Sequence, residues 1–151
     1  MSRILRVGMK ASKKLRITPE GVKKFADIIE DHNPIHLSDA AAQNVGFPCC
    51  ISHGMYPASL FSGLMATEMP GPNTVYLSQE LNFRAPMLVG DVIEVCVELT
   101  KFRKGKGLMV MNTVVKKADP NTKAEIVCIE GKAVGVNKDV TFEGDSPAWS
   151  R

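Results

Sequence analysis

The chain contains no apolar run long enough to cross a bilayer, which argues against a membrane-spanning helix, and membrane association is not expected. A secretory leader, with its basic start and apolar middle, is not legible at the N-terminus either. The four cysteines, Cys49, Cys50, Cys96 and Cys128, lack the spacing of a disulfide framework. Cys96 and Cys128 sit in apolar runs and read as small core residues, so a reducing intracellular compartment is the expected home. Charge of one sign is not in large excess: the formal net charge is +3, too mild to point to nucleic acid. Internal repeats and low-complexity tracts are missing as well. What remains is a chain of 151 residues, 44% hydrophobic and 23% charged, ordinary values for one globular domain. A domain of this size buries roughly 70% of the surface its unfolded chain exposes, so it needs no disulfide or metal to hold a core.

Acidic residues are also missing from the first 19 positions, where Arg3, Arg6, Lys10, Lys13, Lys14 and Arg16 cluster. In charge this segment is similar to a mitochondrial transit peptide, and the compartment stays open between mitochondrion and cytoplasm. Its apolar residues, Ile4, Leu5 and Val7 and then Leu15 and Ile17, also suit an opening strand pair, the reading favoured here.

Thr18-Pro19-Glu20 places a hydroxyl, a proline and an acid where a helix N-terminus wants them. Val22, Phe25, Ala26, Ile28 and Ile29 then recur at helical spacing and predict a helix from Pro19 to about Glu30. His32-Asn33-Pro34 ends it, because the residue before proline avoids helical dihedrals. Ser38-Asp39 starts a short helix that Gly46-Phe47-Pro48 terminates. The segment from Gly54 to about Met69 is apolar nearly all round, which predicts a buried central helix. Gly54 as its N-cap makes Pro57 harmless, since the first turn's N–H groups have no intrahelical partner. The period then changes. Val75, Leu77, Leu81 and Phe83 alternate with polar neighbours, as do Ile93, Val95, Val97 and Leu99; Leu108–Val115 and Ile126–Val136 complete four strands. Turn signals separate them, and the basic run Lys101–Lys106 reads as a solvated hairpin tip. Helices first and strands after them predict an α+β fold, an antiparallel sheet wrapped on the buried helix. One domain over 1–140 is expected, with 141–151 as a loose tail.

Residues able to do chemistry concentrate between Asp31 and Gly54. Asp31-His32-Asn33-Pro34-Ile35-His36 leaves a helix and turns sharply, which can bring a carboxylate and an imidazole to one point. An Asp as base and a His as acid are the minimal equipment for moving protons to and from water. The bend residues are equally common turn formers, so spacing alone does not decide. His53-Gly54 opens the central helix, whose N-terminus offers free N–H groups to a carbonyl oxygen that gains charge, or is merely capped by glycine. Ser59, Ser62 and Thr67 in the same helix read first as packing residues. A metal is not expected: Asn33-Pro34 prevents a helix between His32 and His36, and adjacent Cys49 and Cys50 chelate one tetrahedral ion poorly.

In combination these residues resemble the MaoC-type, R-specific enoyl-CoA hydratase family, over about Leu5 to Val136. The resemblance rests on Asp31-x-Asn33-Pro34-Ile35-His36 with Ala42, on His53-Gly54-Met55, on Ala58–Leu64, and on Val89-Gly90-Asp91 before the strand of Ile93–Leu99. It implies a hotdog fold, usually paired as a homodimer, and a hydro-lyase that interconverts trans-2-enoyl and (R)-3-hydroxyacyl thioesters of coenzyme A or acyl carrier protein, with no cofactor. It further implies that Asp31 and His36 are the catalytic pair. Asp31 would be the base toward water, and His36 would supply the proton to the α-carbon. The Gly54 N–H would bind the thioester carbonyl, Asn33 and Ser62 would order the site, and Met65 and Val134 would line the acyl tunnel.

Ile29-Glu30 depart from the family, which usually has a small residue and a glycine before the aspartate; Glu30 is expected to point to solvent. Two other readings stay open. A hotdog thioesterase would aim water at the carbonyl carbon rather than the β-carbon. A non-catalytic acyl-thioester-binding subunit would keep the shell without the chemistry.

Overall fold

The computed structural model describes residues 2–149; Met1, Ser150 and Arg151, the outermost positions of the expected domain and tail, lie outside the described residues. The chain runs β1 (Arg3–Leu5), β2 (Lys10–Arg16), α1 (Pro19–Ile29), α2 (Pro34–Leu37), α3 (Asp39–Asn44), α4 (Met55–Thr67), β3 (Val75–Gln79), β4 (Asn82–Phe83), β5 (Val92–Arg103), β6 (Leu108–Ala118), β7 (Glu125–Val136) and β8 (Val140–Phe142). Each long strand pairs antiparallel with its neighbours in the order β2-β5-β6-β7-β3, and β4 also pairs with β7. Ile93, Val95, Val97 and Leu99 alternate inward and are buried, the last three opposite buried Val115, Thr113 and Met111, and buried Met109 lies opposite Phe102. Phe61, Leu64, Met65 and Ala58 of α4 fill the concave face they leave. This is the α+β arrangement, a sheet wrapped on a central helix, that the order of patterns predicts.

The local signals explain the helix ends. Thr18 Oγ1 accepts from the Gly21 N–H at 3.0 Å, and Pro19 opens α1. Glu30 closes it in the left-handed region, φ 59°, exposed to solvent, where glycine is the usual residue. Ser38 caps α3 through the Ala41 N–H at 3.2 Å. Gly54 stands at the N-cap of α4 and Pro57 in its first turn.

Several expectations are corrected. The opening segments do not pair with each other: β1 lies parallel to β8, and β2 pairs with β5. Thr141 and Phe142, expected in the tail, therefore pack with the domain, because Phe142 is buried and its ring stacks on Phe102 with centroids 4.5 Å apart. The run from Val75 to Phe83 is two strands. A bulge at Leu77 turns Val75 and Leu77 outward, 56% and 53% exposed, and puts Tyr76 and Gln79 opposite buried Gly135 and Ala133. Glu80 then crosses β7 over Gly131, so close that a Cβ there would lie 1.8 Å from the Glu80 carbonyl oxygen. Finally, α4 is buried on one side only: Met55, Ser59, Ser62, Gly63 and Ala66 are exposed. The helix looks apolar all round because small residues occupy the uncovered face.

Candidate active site

The site forms where α1 ends. Past the left-handed Glu30, the Asp31 N–H returns to the Ala26 carbonyl at 3.1 Å, and the chain bends away through Asn33-Pro34. Asn33 serves twice. Its N–H donates to Asp31 Oδ1 at 3.1 Å, and its side-chain oxygen accepts from the Ile35 N–H at 3.4 Å, capping the single-turn helix α2 that the sequence pattern does not reveal. That extra turn swings the His36 ring back toward α1. His36 Nε2 lies 3.8 Å from Asp31 Oδ2. The carboxylate is half-exposed and the imidazole buried.

His36 Nδ1 lies 2.7 Å from the Ile51 carbonyl oxygen. A carbonyl only accepts, so Nδ1 carries the proton and Nε2 is left facing Asp31. Ile51 is itself held: it forms a bridge with Leu88, the Ser52 N–H donates to Met87 at 2.8 Å and the Val89 N–H to Cys50 at 2.9 Å. Lys117 pins that opposing loop through Pro86 at 2.9 Å and Asp91 at 2.7 Å. Asp39 holds the other side, accepting from the Cys50 N–H at 2.9 Å, a bond that keeps its carboxyl below the usual carboxylate range.

A third residue joins the pair. His53 is buried, its Nε2 lies 2.9 Å from the Asp31 main-chain oxygen and 3.9 Å from Asp31 Oδ2, and its ring stacks on His36 with centroids 3.8 Å apart. Donor atoms of Asp31, His36 and His53 lie within 4.8 Å of one another. The two imidazole planes face each other at 32°, and His53 Nε2 is already turned to the Asp31 carbonyl.

Gly54 follows at the start of α4. Among the described residues its N–H is taken by no main-chain carbonyl. It borders a 460 Å³ groove whose other walls include Met55, Phe83, Arg84, Pro86 and Met87. Gly54 is not in the left-handed region; its missing side chain matters because the Phe83 ring lies against it, 2.6 Å from where a Cβ would be.

Asp31, Asn33 and His36 thus come together, whereas Gly54 is linked to them through its chain neighbour His53, and the groove it borders is lined by none of the three. Ser62 lies two turns along α4 on its exposed side. Met65 is buried against the sheet. Val134 lies between buried Ala133 and Gly135 on β7, so its side chain points to the opposite face of the sheet, and within one chain Met65 and Val134 do not share a wall. The pattern alone does not reveal the contact of His53 with Asp31, because it depends on residues 22 apart. Phe83 and Arg84 belong to β4 and its exit, and only the fold brings them to the groove.

An antiparallel sheet around one helix defines a hotdog domain, and in this one a carboxylate and an imidazole come within 3.8 Å of each other where α1 ends. The chain belongs to the MaoC-like domain family, whose model matches residues 5–121. It is similar to the (R)-specific enoyl-CoA hydratase of Aeromonas caviae, 38% identical over 130 residues that cover 86% of this chain and 93% of that protein. The solved structure of an A. caviae (R)-hydratase involved in PHA biosynthesis superposes with a TM-score of 0.80, covering 87% of this chain and 96% of that one. A 3-hydroxybutyryl-CoA dehydratase of Methylorubrum extorquens is 46% identical over 97 residues, 64% of this chain and 62% of that protein, so the match spans less than two thirds of that relative's length.

Proposed function

We propose that this protein is a hydro-lyase that adds water to trans-2-enoyl thioesters to give (R)-3-hydroxyacyl thioesters, and runs the reverse reaction. The observation that carries the reading is the 3.8 Å separation of Asp31 Oδ2 and His36 Nε2. It is too long for a direct hydrogen bond and suits two atoms that share one water, each about 2.8 Å from it. In the hydration direction Asp31 takes a proton from that water as its oxygen attacks the β-carbon. His36, an imidazolium at this step with Nδ1–H kept on Ile51, delivers its Nε2 proton to the α-carbon from the same side, and the proton taken by Asp31 then passes back to Nε2 to restore the pair. The Gly54 N–H, at the positive end of α4, receives the thioester oxygen as charge builds on it. Asn33 holds the carboxylate in place through its main chain. Met65 and Val134 set chain length only if the acyl tunnel draws on two chains; Ser62 would act from the same exposed side of α4.

The relatives' names, an enoyl-CoA hydratase and a 3-hydroxybutyryl-CoA dehydratase, support the substrate class. The thioester is carried by coenzyme A or by acyl carrier protein, and the chemistry at Asp31 and His36 is the same for both. No cofactor takes part: the acid, the base and the amide are the chain's own. A homodimer is the assembly that fits the surface. Among the described residues β3 ends the sheet with one side unpaired, and it presents exposed Val75 and Leu77 near exposed Phe83. No helix among the described residues is long and apolar enough to cross a membrane. Lys10, Lys13, Lys14 and Arg16 lie in β2 within the sheet, which supports reading that basic stretch as part of the domain.

Incubation with crotonyl-CoA, followed by loss of enoyl absorbance and by chiral analysis of the product, tests the reading. Accumulation of (R)-3-hydroxybutyryl-CoA without free thiol is expected. Thiol release with no hydroxyacyl product would reject it in favour of thioester hydrolysis.

A further inference from the structure

His53 is a buried histidine to which the acid/base scheme assigns no task, and its surroundings are unusual. Nε2 lies 2.9 Å from the Asp31 main-chain oxygen, so Nε2–H is the donor. Nδ1 is buried and is the only side-chain N or O atom of its kind without a partner among the described residues. A proton on Nδ1 would be buried with no acceptor, which favours the tautomer with its single proton on Nε2. One face of the ring lies against His36, with centroids 3.8 Å apart, and Phe25 meets it edge-on at 5.4 Å.

The two groups beside it are otherwise held from different parts of the chain. Asp31 Oδ1 is fixed by the Asn33 N–H, and His36 Nδ1 by the Ile51 carbonyl. Main-chain bonds join these anchors, the His36 N–H to the Asn33 carbonyl at 3.0 Å and the Ile51 N–H to the Ile35 carbonyl at 3.2 Å, and they fix the backbone of the bend without touching both the carboxylate residue and the imidazole ring. His53 touches both. Its N–H ties down the main chain of Asp31 where the carbonyl has left the α1 ladder, and its ring is the floor on which His36 rests.

We infer that His53 is a positioning residue which sets the separation of Asp31 and His36 through one hydrogen bond and one ring contact. This rests on the hydro-lyase reading above. His53 does not meet substrate; it acts through the two groups that do. A displacement of about 1 Å between reacting groups costs on the order of a hundredfold in rate, so loss of the tie is felt in turnover and not in binding.

The test uses the full chain and three measurements. His53→Phe keeps a ring over His36 but cannot donate to Asp31. With crotonyl-CoA, its kcat is expected to fall by about a hundredfold while KM stays within about threefold. His53→Gln offers an amide N–H that reaches the Asp31 carbonyl, and is expected to recover at least tenfold of that loss. Nitrogen-15 NMR of the wild-type imidazoles is expected to show His53 protonated at Nε2, with a slowly exchanging proton. A folded His53→Phe with unchanged kcat, a Gln variant no better than Phe at equal Tm, or a proton found on Nδ1 would each overturn the inference. Should His53→Phe fail to fold, the Gln variant and the NMR spectrum still decide. Absence of hydration by the wild-type protein would instead refute the hydro-lyase reading, and the spectrum would then judge the His53–Asp31 tie alone.

Discussion

Gly54→Ala separates the needs of the fold from the needs of the reaction. With φ −58° and ψ −36° Gly54 already has dihedrals that alanine adopts without strain, so the backbone does not resist, and the reduced freedom of the unfolded chain stabilises by roughly 0.4–1 kcal/mol. The new methyl would lie 2.6 Å from Phe83 Cε1 and 2.7 Å from Cδ1. Ordinary carbon contacts begin near 3.5 Å, so the ring must retreat by about 1 Å. Phe83 is 53% exposed and can swing aside, at roughly 0.5–1.5 kcal/mol for leaving its rotamer. Gain and cost nearly cancel, and Tm should move by less than about 4 °C. The groove does not escape so lightly, because Gly54 and Phe83 both wall it. If the Gly54 amide receives the thioester oxygen as proposed, a wall displaced by about 1 Å beside it should cost about a hundredfold in kcat/KM, or about 2.7 kcal/mol. Thermal melting and steady-state hydration of crotonyl-CoA measure the two effects. Combining Gly54→Ala with Phe83→Ala removes the clash, and the double-mutant cycle should show a coupling of about 1–2 kcal/mol. Unchanged kcat/KM in a folded Gly54→Ala variant would refute the placement of the thioester at this amide. A large loss of Tm would refute the claim that only the groove depends on the missing side chain.

Two further outcomes follow from single residues. Glu30→Gly should raise stability by about 1 kcal/mol in urea unfolding with activity unchanged, because the position has φ 59° and its side chain is exposed. Burial, reinforced by the neighbouring Asp39 carboxylate, pushes the Cys50 thiol from its ordinary 9.0 up to about 11. The folded chain thus holds that proton more tightly, and the stability this lends is present below pH 9 and lost as pH climbs toward 11. At pH 8 iodoacetamide should label Cys50 about a hundredfold more slowly in the native protein than in urea, followed by peptide mass mapping.

Much of this architecture is legible along the chain where the signals are local. Thr18-Pro19, Ser38 and Gly54 each begin a helix where their capping chemistry says they should. The alternation of Ile93 to Leu99 marks the buried face of β5 because each residue there meets the same core. Features set by distant contacts are not legible. The break between β3 and β4 depends on Gly131, some fifty positions away, leaving room for Glu80 to cross β7. β1 and β8 are three residues each, too short for a period, and exist because Leu5 and Phe142 are buried together with the main core. The exposed side of α4 escapes a hydropathy reading since Ser62, Gly63 and Ala66 are small and not charged. Within the site, the Asp31–His36 bend is visible as an Asp-x-Asn-Pro-x-His string, whereas the His53 ring under His36 requires the fold.

On the proposed mechanism Asp31 and His36 together handle one water. Single-turnover hydration of crotonyl-CoA by wild type and by Asp31→Asn tests it most directly, since asparagine fills the same space and can still meet the Asn33 N–H but cannot take a proton. Substrate binding within about threefold of wild type and turnover lower by at least about a thousandfold are expected. A folded Asp31→Asn protein that hydrates at the wild-type rate would contradict that mechanism.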